Sequence, residues 1–227
     1  QSMDNECDIQ IFGFGSHCED GLTSGCDKGP EEVFKLLPKI GPLFNPELNI
    51  DISKLRINWS GIHEIIDNHD DLSYHISQCW ALPIIIGGTH DQSFANVMGL
   101  MINFPDLDVI NIDSNLNVHS NTDTDIDKNN CHFQEMLNLP SFIGQFDEFA
   151  IQGNQTSKFH SEYVINNGGN ITYLKDIKSN TFHNILYSRM NPLFVSFDLH
   201  SICGSDCPGV NNPSVRGLKA EQVLNIC

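Results

Sequence analysis

The sequence predicts an α/β fold with a mostly parallel central sheet flanked by helices on both faces. Three observations carry that prediction. The runs Leu82-Pro-Ile-Ile-Ile86 and Leu193-Phe-Val-Ser-Phe197 are almost continuously apolar, as strands are when a parallel sheet buries both of their faces. Strand-like and helix-like stretches alternate along the chain. Several of the apolar runs stop abruptly in polar clusters, and in open parallel sheets ligands bind beyond the carboxyl ends of strands.

The elements follow in order. Asp8 to Gly15 alternates, is apolar and stops on glycine, so it reads as a first strand entering a loop. Residues 21–30 are rich in turn formers. Gly29-Pro30-Glu31-Glu32 then opens a helix, with proline in its first turn and acids near its positive end. Val33, Phe34, Leu36 and Leu37 give that helix a face of rough helical period. Leu48 to Ile52 reads as a short strand. Ile62 to Cys79 reads as a helix, with Ile65, Ile66, Leu72 and Ile76 on one side. The strand Leu82 to Ile86 ends at Gly87-Gly88, and Gln92 to Asn103 follows as a helix. Leu107 to Ile112 is the next strand and ends at Asp113. Phe146 to Gln152 is a further strand, Phe182 to Met190 a helix, and Leu193 to Phe197 a strand ending at Asp198. No internal repeat or low-complexity linker divides the chain, which predicts one domain over residues 1–227.

Composition narrows the function classes. The chain has 227 residues, 40% of them hydrophobic and 18% charged, a globular rather than a disordered balance. Acidic residues number 29 and basic residues 12, for a net charge of −17. Such a surface repels phosphate backbones, and no basic stripe offsets it, so no nucleic-acid partner is expected. The same field attracts small cations such as amines and guanidines. No stretch approaches the length of a transmembrane helix, so no membrane partner is expected. Gln1-Ser2-Met3-Asp4 lacks signal-peptide features and reads as a tag remnant before an initiator methionine. The eight cysteines are scattered without a CxxC pair, as in a reduced cytoplasmic protein. Cys203 and Cys207 are spaced CxxxC, but no second pair exists to complete a zinc site. The sequons at Asn58, Asn154 and Asn170 mean little without a secretory signal.

The polar clusters at the strand ends are Thr89-His90-Asp91, Asp113-Ser114-Asn115-Leu116-Asn117 and Asp198-Leu199-His200. If the local backbone stays extended, Asp113, Asn115 and Asn117 point the same way, as do Asp198 and His200. Carboxylate and imidazole facing one cavity is what a divalent metal needs.

These residues carry a family resemblance. GGTHD resembles the Gly-Gly-Asp-His signature of the arginase, agmatinase and formimidoylglutamase (ureohydrolase) family. NIDSNLN resembles its Asp-x-His-x-Asp segment. SFDLHSICGSDCPGVNNPSVRGL resembles its Ser-Phe-Asp-x-Asp, Asp-Pro…Pro-Gly and Gly-Gly-Leu segments. GSHCEDGLTSGCDKGPEEV resembles its Gly-rich first loop and Gly-Pro helix. The order matches throughout, and the flavour of GGTHD, NIDSN and GSDCPG is similar to the formimidoylglutamase branch.

The resemblance implies a three-layer arginase-like fold and a Mn²⁺-dependent hydrolase of linear amidines or guanidines, in which two ions activate a bridging hydroxide. Position by position, His90 matches the first histidine ligand, and Asp113 and Asp198 match the bridging aspartates. Asn115 stands where a histidine is expected, and Asn117 and His200 stand where aspartates are expected. Two close Mn²⁺ ions need carboxylate charge, and asparagine offers only a neutral oxygen. The expectation is therefore one Mn²⁺ ion or none rather than two, with Zn²⁺ in second place, and weak or lost activity. Without a metal, Asp113 and Asp198 would need hydrogen bonds from histidine or asparagine to stay buried as anions.

His132, in Asn130-Cys131-His132, resembles the family's proton-shuttling histidine, and imidazole suits that role. From the residues alone it reads as a solvated loop histidine, and so does His119. His63, His69, His75, His160 and His183 read as surface or helix residues, and Asp91 and Asp206 as loop ties. The family continues beyond the Gly-Leu motif with another strand, so the resemblance implies that the C-terminal part of the fold is lacking here. Implied partners are a small cationic or amidine substrate and further copies of the chain in a homo-oligomer. Specificity is expected in the Asn-rich loops 117–138 and 153–170. Two other readings stay open: a non-catalytic regulatory or structural homologue that binds a small molecule, and a mononuclear deacetylase-like hydrolase suggested by the Asp198-Leu199-His200 spacing.

Overall fold

The computed structural model describes residues 7–15, 25–41, 43–64, 70–118 and 131–226. They form two compact units, Gln1–Ala95 and Asn96–Cys227. The architecture is α/β, with parallel sheets flanked by helices, as the sequence predicts.

In the first unit, β1 (Ile9–Gly15) leads through the helix α1 (Gly29–Leu36) to a small antiparallel pair, β2 (Phe44–Asn45) and β3 (Ile50–Asp51). Next come β4 (Ile57–Glu64), α2 (Asp70–Ser77) and β5 (Leu82–Gly87), and α3 (Gln92–Met101) crosses into the second unit. The sheet order is β4-β1-β5, with both pairings parallel. Phe12 and Phe14 of β1 are buried, as are Leu72 and Ile76 of α2. The buried Gln92 side chain donates to the Phe14 carbonyl at 3.3 Å, which ties the start of α3 to the end of β1.

One predicted element is wrong here. The helix expected over Ile62 to Cys79 begins instead as the last residues of β4, and only Asp70–Ser77 is helical. Ile62 pairs with Gly13 across a register shift in β1, and Gly61 adopts φ 94° at that bulge. Pairing with a buried strand overrides a helical spacing of isoleucines. Ile65, Ile66 and His69 lie outside the described residues. His63, expected at the surface, stacks on Phe14 at 5.1 Å and meets His75 in a tilted contact at 4.7 Å between ring centroids. Burial and the neighbouring His75 hold the His63 imidazole below its ordinary pKa.

The second unit contains β6 (Asp108–Ile112), α4 (His132–Leu137), β7 (Phe146–Ile151), α5 (Lys158–Asn166), β8 (Asn170–Tyr173), α6 (Thr181–Tyr187), β9 (Leu193–Phe197) and α7 (Ala220–Leu224). Its sheet order is β8-β7-β6-β9, parallel throughout. Every residue of β6 and β7 is buried, as befits central strands covered on both faces. Ile110, Ile112, Phe149, Ala150, Phe182 and Leu218 form the core. Phe149 and Phe182 meet edge to face at 5.2 Å. The helix α5 was not expected, because its Asn-rich surroundings read as loop. Ser157 caps it, accepting from the His160 N–H at 3.1 Å.

Several buried polar side chains inside this unit are paired with one another. Asn111 donates to the fully buried Glu148 across the β6–β7 pairing at 2.8 Å. At the amino ends of the same strands, the Arg189 guanidinium lies between Asp108, at 3.6 Å, and Asp147, with all three side chains nearly inaccessible. Asp108 also accepts from the Gln145 N–H at 2.8 Å and from Asn191 at 3.2 Å.

Removing one member of a buried ion pair strands the others as unpaired charges. Arg189→Met is therefore expected to destabilise the protein by about 3–5 kcal/mol. Urea denaturation measures it, and a loss within experimental error would show that the cluster contributes nothing.

Candidate metal centre

The site is built on two adjacent strand ends. β6 and β9 pair in register, with Ile112 opposite Phe197, so the next residues on each strand, Asp113 and Asp198, emerge side by side. The ladder runs on into both residues. Asp198 N–H donates to the Ile112 carbonyl at 2.9 Å, and Asp113 N–H donates to the Phe149 carbonyl at 3.0 Å. One carboxylate oxygen of each aspartate lies within 4.8 Å of the other. Asp113 is 1% exposed.

Each aspartate is held by its own loop. Asp113 Oδ1 accepts from the N–H groups of Ser114 at 2.5 Å and Asn115 at 3.3 Å, and Oδ2 accepts from the Asn117 side-chain amide. Asp198 Oδ1 accepts from the His200 N–H at 2.7 Å and faces His200 Nδ1 at 2.8 Å. With its proton on Nδ1 the imidazole donates, and Nε2 is then the ring nitrogen suited to a metal. The Ser201 hydroxyl fixes the turn by donating to the Asp198 carbonyl at 2.6 Å.

The extended spacing expected for Asp113, Asn115 and Asn117 does not occur. β6 ends at Ile112, and Asn117 lies at φ 48°, a left-handed conformation that asparagine tolerates better than most residues. That turn points its amide at Asp113. The Asn115 amide donates instead to the Ser114 hydroxyl at 3.3 Å. Two of the three residues that differ from the family pattern, Asn117 and His200, thus hydrogen-bond the retained aspartates. This is the pattern expected if buried carboxylates rely on asparagine and histidine.

The other expected residues are placed as follows. His90 lies in the first unit, just beyond β5, half-buried, and its carbonyl accepts from the Ser93 N–H at 3.0 Å at the start of α3. His132 is not a solvated loop residue. It is the first residue of α4, 4% exposed, with its ring against Phe133 at 4.5 Å. The apolar Phe133 and Met136 bury that turn with it. His119 lies outside the described residues. Asp206 is a loop tie as expected: its carboxylate accepts from the Ala220 N–H at 3.0 Å, and that bond and the Ser205 hydroxyl lower its pKa.

Cys203 holds no metal partner in Cys207. Its sulfur instead meets the Ser205 hydroxyl at 2.8 Å and the Lys219 ammonium at 3.2 Å, and these two push the thiol pKa down. Gly217 passes so close that a Cβ would lie 2.4 Å from the Cys203 nitrogen. That approach lets Leu218 pair with Ser201 and Cys203 through backbone hydrogen bonds at 2.8 and 3.0 Å. The RGL segment is thereby fixed beside the Asp198 loop.

A cavity of about 570 Å³ opens beyond β7 and β8, lined in part by Gln152, Thr156, Lys158, Lys175 and Arg216. It occupies part of the 153–170 stretch where specificity was expected. Lys175 and Arg216, far apart in sequence, gave no signal there.

Residues 7–227 match the arginase family. The chain belongs to the arginase family. The formimidoylglutamase of Hahella chejuensis is 24% identical over 220 residues, covering 88% of this chain. The chain spans 65% of the length of that relative. Trypanosoma cruzi formiminoglutamase, solved with Mn2+2, aligns at 31% identity and a TM-score of 0.87, covering 97% of this chain and 80% of that one. An asparagine-to-histidine variant of the same protein, also with Mn2+2, aligns at 31% identity and 0.88, covering 99% and 80%. Bacillus subtilis arginase, at 15% identity and a TM-score of 0.72 over 96% of this chain and 83% of its own, shares the fold. Among the described residues, no helix is long and apolar enough to cross a membrane.

Asn117→Gly keeps the left-handed backbone but removes the amide that faces Asp113. Hydrogen bonds to charged groups contribute roughly 1.5–3 kcal/mol, so the variant is expected to lose about that much stability in metal-free urea denaturation. An unchanged midpoint would mean that Asp113 does not depend on Asn117.

Proposed function

We propose that this chain is a formimidoylglutamase-like hydrolase of linear amidines that works with a single Mn²⁺ ion and turns over slowly. The observation that carries the reading is the Asp113–Asp198 pair, two carboxylates within 4.8 Å on neighbouring strand ends. The donor chemistry fits one ion. Asp113 and Asp198 supply oxygen and charge, His90 and His200 supply imidazole nitrogen, and this mixture suits Mn²⁺ with Zn²⁺ as the second choice. It does not fit two ions, because Asn115 and Asn117 bring no charge where a second ion would need it. Support for manganese comes from the Mn2+2 structures of the T. cruzi relative.

Manganese held at this site would supply Lewis-acid activation of water. The chain's own residues do the rest. Asp113, anchored by Ser114 and Asn117, holds its carboxylate in one orientation, and Asp198 is fixed likewise by His200. In hydrolysis water adds to the amidine carbon, the bond to the substituted nitrogen breaks, and an amine and formamide leave. His132 is assigned the proton delivered to the departing amine, through an imidazole nitrogen, a role to which an imidazole side chain is suited.

A second reading is a non-catalytic homologue. It is favoured by the engagement of Asn117 and His200 with the aspartates, which stabilises both anions without a metal.

Metal analysis after Mn²⁺ incubation, paired with a formimidoyl-L-glutamate assay, separates the readings. The expected result is one tightly held ion per chain and slow hydrolysis, both lost in Asp198→Asn. Two tightly held ions would contradict the single-ion centre. One ion without hydrolysis would select the non-catalytic reading, and one zinc in preference to manganese the deacetylase-like one. The triple variant Asn115→His, Asn117→Asp, His200→Asp is expected to gain a second Mn²⁺ ion. Failure to gain any would mean that these positions are not ligand positions.

A further inference from the structure

Cys203 has no part in the metal centre, yet it is not set up as an inert thiol. A buried cysteine with a packing role sits among apolar groups, which raise its pKa. Cys203 is 1% exposed, but its sulfur faces the Lys219 ammonium at 3.2 Å and the Ser205 hydroxyl at 2.8 Å. The single Ser205 proton has a second acceptor in Asp206 at 3.0 Å, and the sulfur is the nearer. Ser205 first and Lys219 next hold the thiol below its ordinary pKa. The sulfur in return raises the pKa of Lys219. A cation and a hydroxyl turned on one sulfur make the surroundings of a reactive thiolate.

The backbone fixes the pair. Cys203 N–H donates to the Leu218 carbonyl at 3.0 Å, and Lys219 follows Leu218, so the two side chains leave neighbouring points of one ladder. Ser205, Asp206 and Lys219 are themselves exposed. Cys203 therefore lies one layer below the surface, and rotamer changes of exposed side chains open the way to it within nanoseconds.

We propose that Cys203 and Lys219 form an oxidation site, in which a hydroperoxide converts the thiolate to a sulfenic acid and the lysine amine then closes a sulfur–nitrogen bridge. In the first step the sulfur attacks the terminal peroxide oxygen. The S–O bond forms, the O–O bond breaks, the sulfur is oxidised by two electrons, and the alkoxide or hydroxide that leaves takes a proton from the Lys219 ammonium. The sulfenic acid is neutral, so the charge on sulfur that favoured the ammonium form is gone. In the second step the amine lone pair attacks sulfur. The S–N bond forms, the S–O bond breaks, and the hydroxyl departs as water with a proton from the nitrogen. Thiolate, ammonium and hydroperoxide thus give the bridge, an alcohol and water, or two waters from hydrogen peroxide. Sulfenic acids also condense with backbone nitrogen, but Gly204 N–H, next along the chain, is engaged by the Ser214 carbonyl at 2.7 Å, which favours the lysine. The bridge would join the loop that follows Asp198 to the start of α7.

Peptide mapping by mass spectrometry of the full chain without added Mn²⁺, before and after hydrogen peroxide, tests the site. The expected product joins Cys203 to Lys219, is lighter than the two reduced residues by two hydrogens, and reverts with dithiothreitol. The same bridge is expected in Cys207→Ser. Lys219→Arg keeps the charge but lacks the amine, so its Cys203 is expected to stop at the sulfenic acid and take a dimedone label that the native chain does not keep. Lys219→Met is expected to slow oxidation of Cys203 about tenfold. Lys219 is exposed, and circular dichroism checks that the variants fold. A Cys203–Cys207 disulfide in the native chain, a sulfenic or higher acid that persists on Cys203 beside a free Lys219, Cys203 left unmodified, or equal rates in the native chain and Lys219→Met would overturn the proposal.

Discussion

Two aspartates set side by side on adjacent parallel strands are the constraint on which the rest of the site depends. Register places Asp113 and Asp198 at equivalent positions just beyond β6 and β9, and a carboxylate oxygen of each comes within 4.8 Å of the other. At an effective dielectric of about 20, two unit charges roughly 4 Å apart repel by about 4 kcal/mol. Something must offset that. A divalent cation does so directly, and hydrogen bonds at roughly 1.5–3 kcal/mol each do so piecemeal. The loop after each strand supplies such bonds: Ser114, Asn115 and Asn117 for one carboxylate, His200 for the other. The asparagine and histidine that replace the expected ligands therefore have a physical role whether or not a metal is bound.

The same arithmetic bears on ion number. Each further divalent ion brings two positive charges, and the kept carboxylates balance only about one such ion. A site with fewer carboxylates is expected to hold fewer ions and to activate water less well. The arginase-family fold carries over to this chain, with Asn115, Asn117 and His200 where the resemblance implies other ligands.

Much of the fold was legible because apolar runs that stop at glycine or aspartate mark strands. β1, β5, β6, β7 and β9 were readable in that way, and α3 and α6 from the stretches between them, but β5 is not buried on both faces as its apolar run predicts, since Leu82 and Ile84 are exposed. β4 was not, because isoleucines spaced for a helix also suit a strand, and its pairing with β1 decided between them. β8 is short and half-buried at the sheet edge, so it left little apolar signal. α5 hid in an Asn-rich stretch whose Ser157 cap went unread. In the site, Asp113 and Asp198 were legible from motif order. The direction of Asn117 was not, since it depends on one left-handed residue. Nor was the burial of His132, which packing around α4 imposes. Lys175 and Arg216 meet only through the fold.

The most direct measurement is electron paramagnetic resonance of the protein titrated with Mn²⁺. The account predicts the hyperfine spectrum of an isolated ion that saturates at one equivalent, and its loss in Asp113→Asn. The broadened signal of a spin-coupled manganese pair, reached at two equivalents, would contradict it.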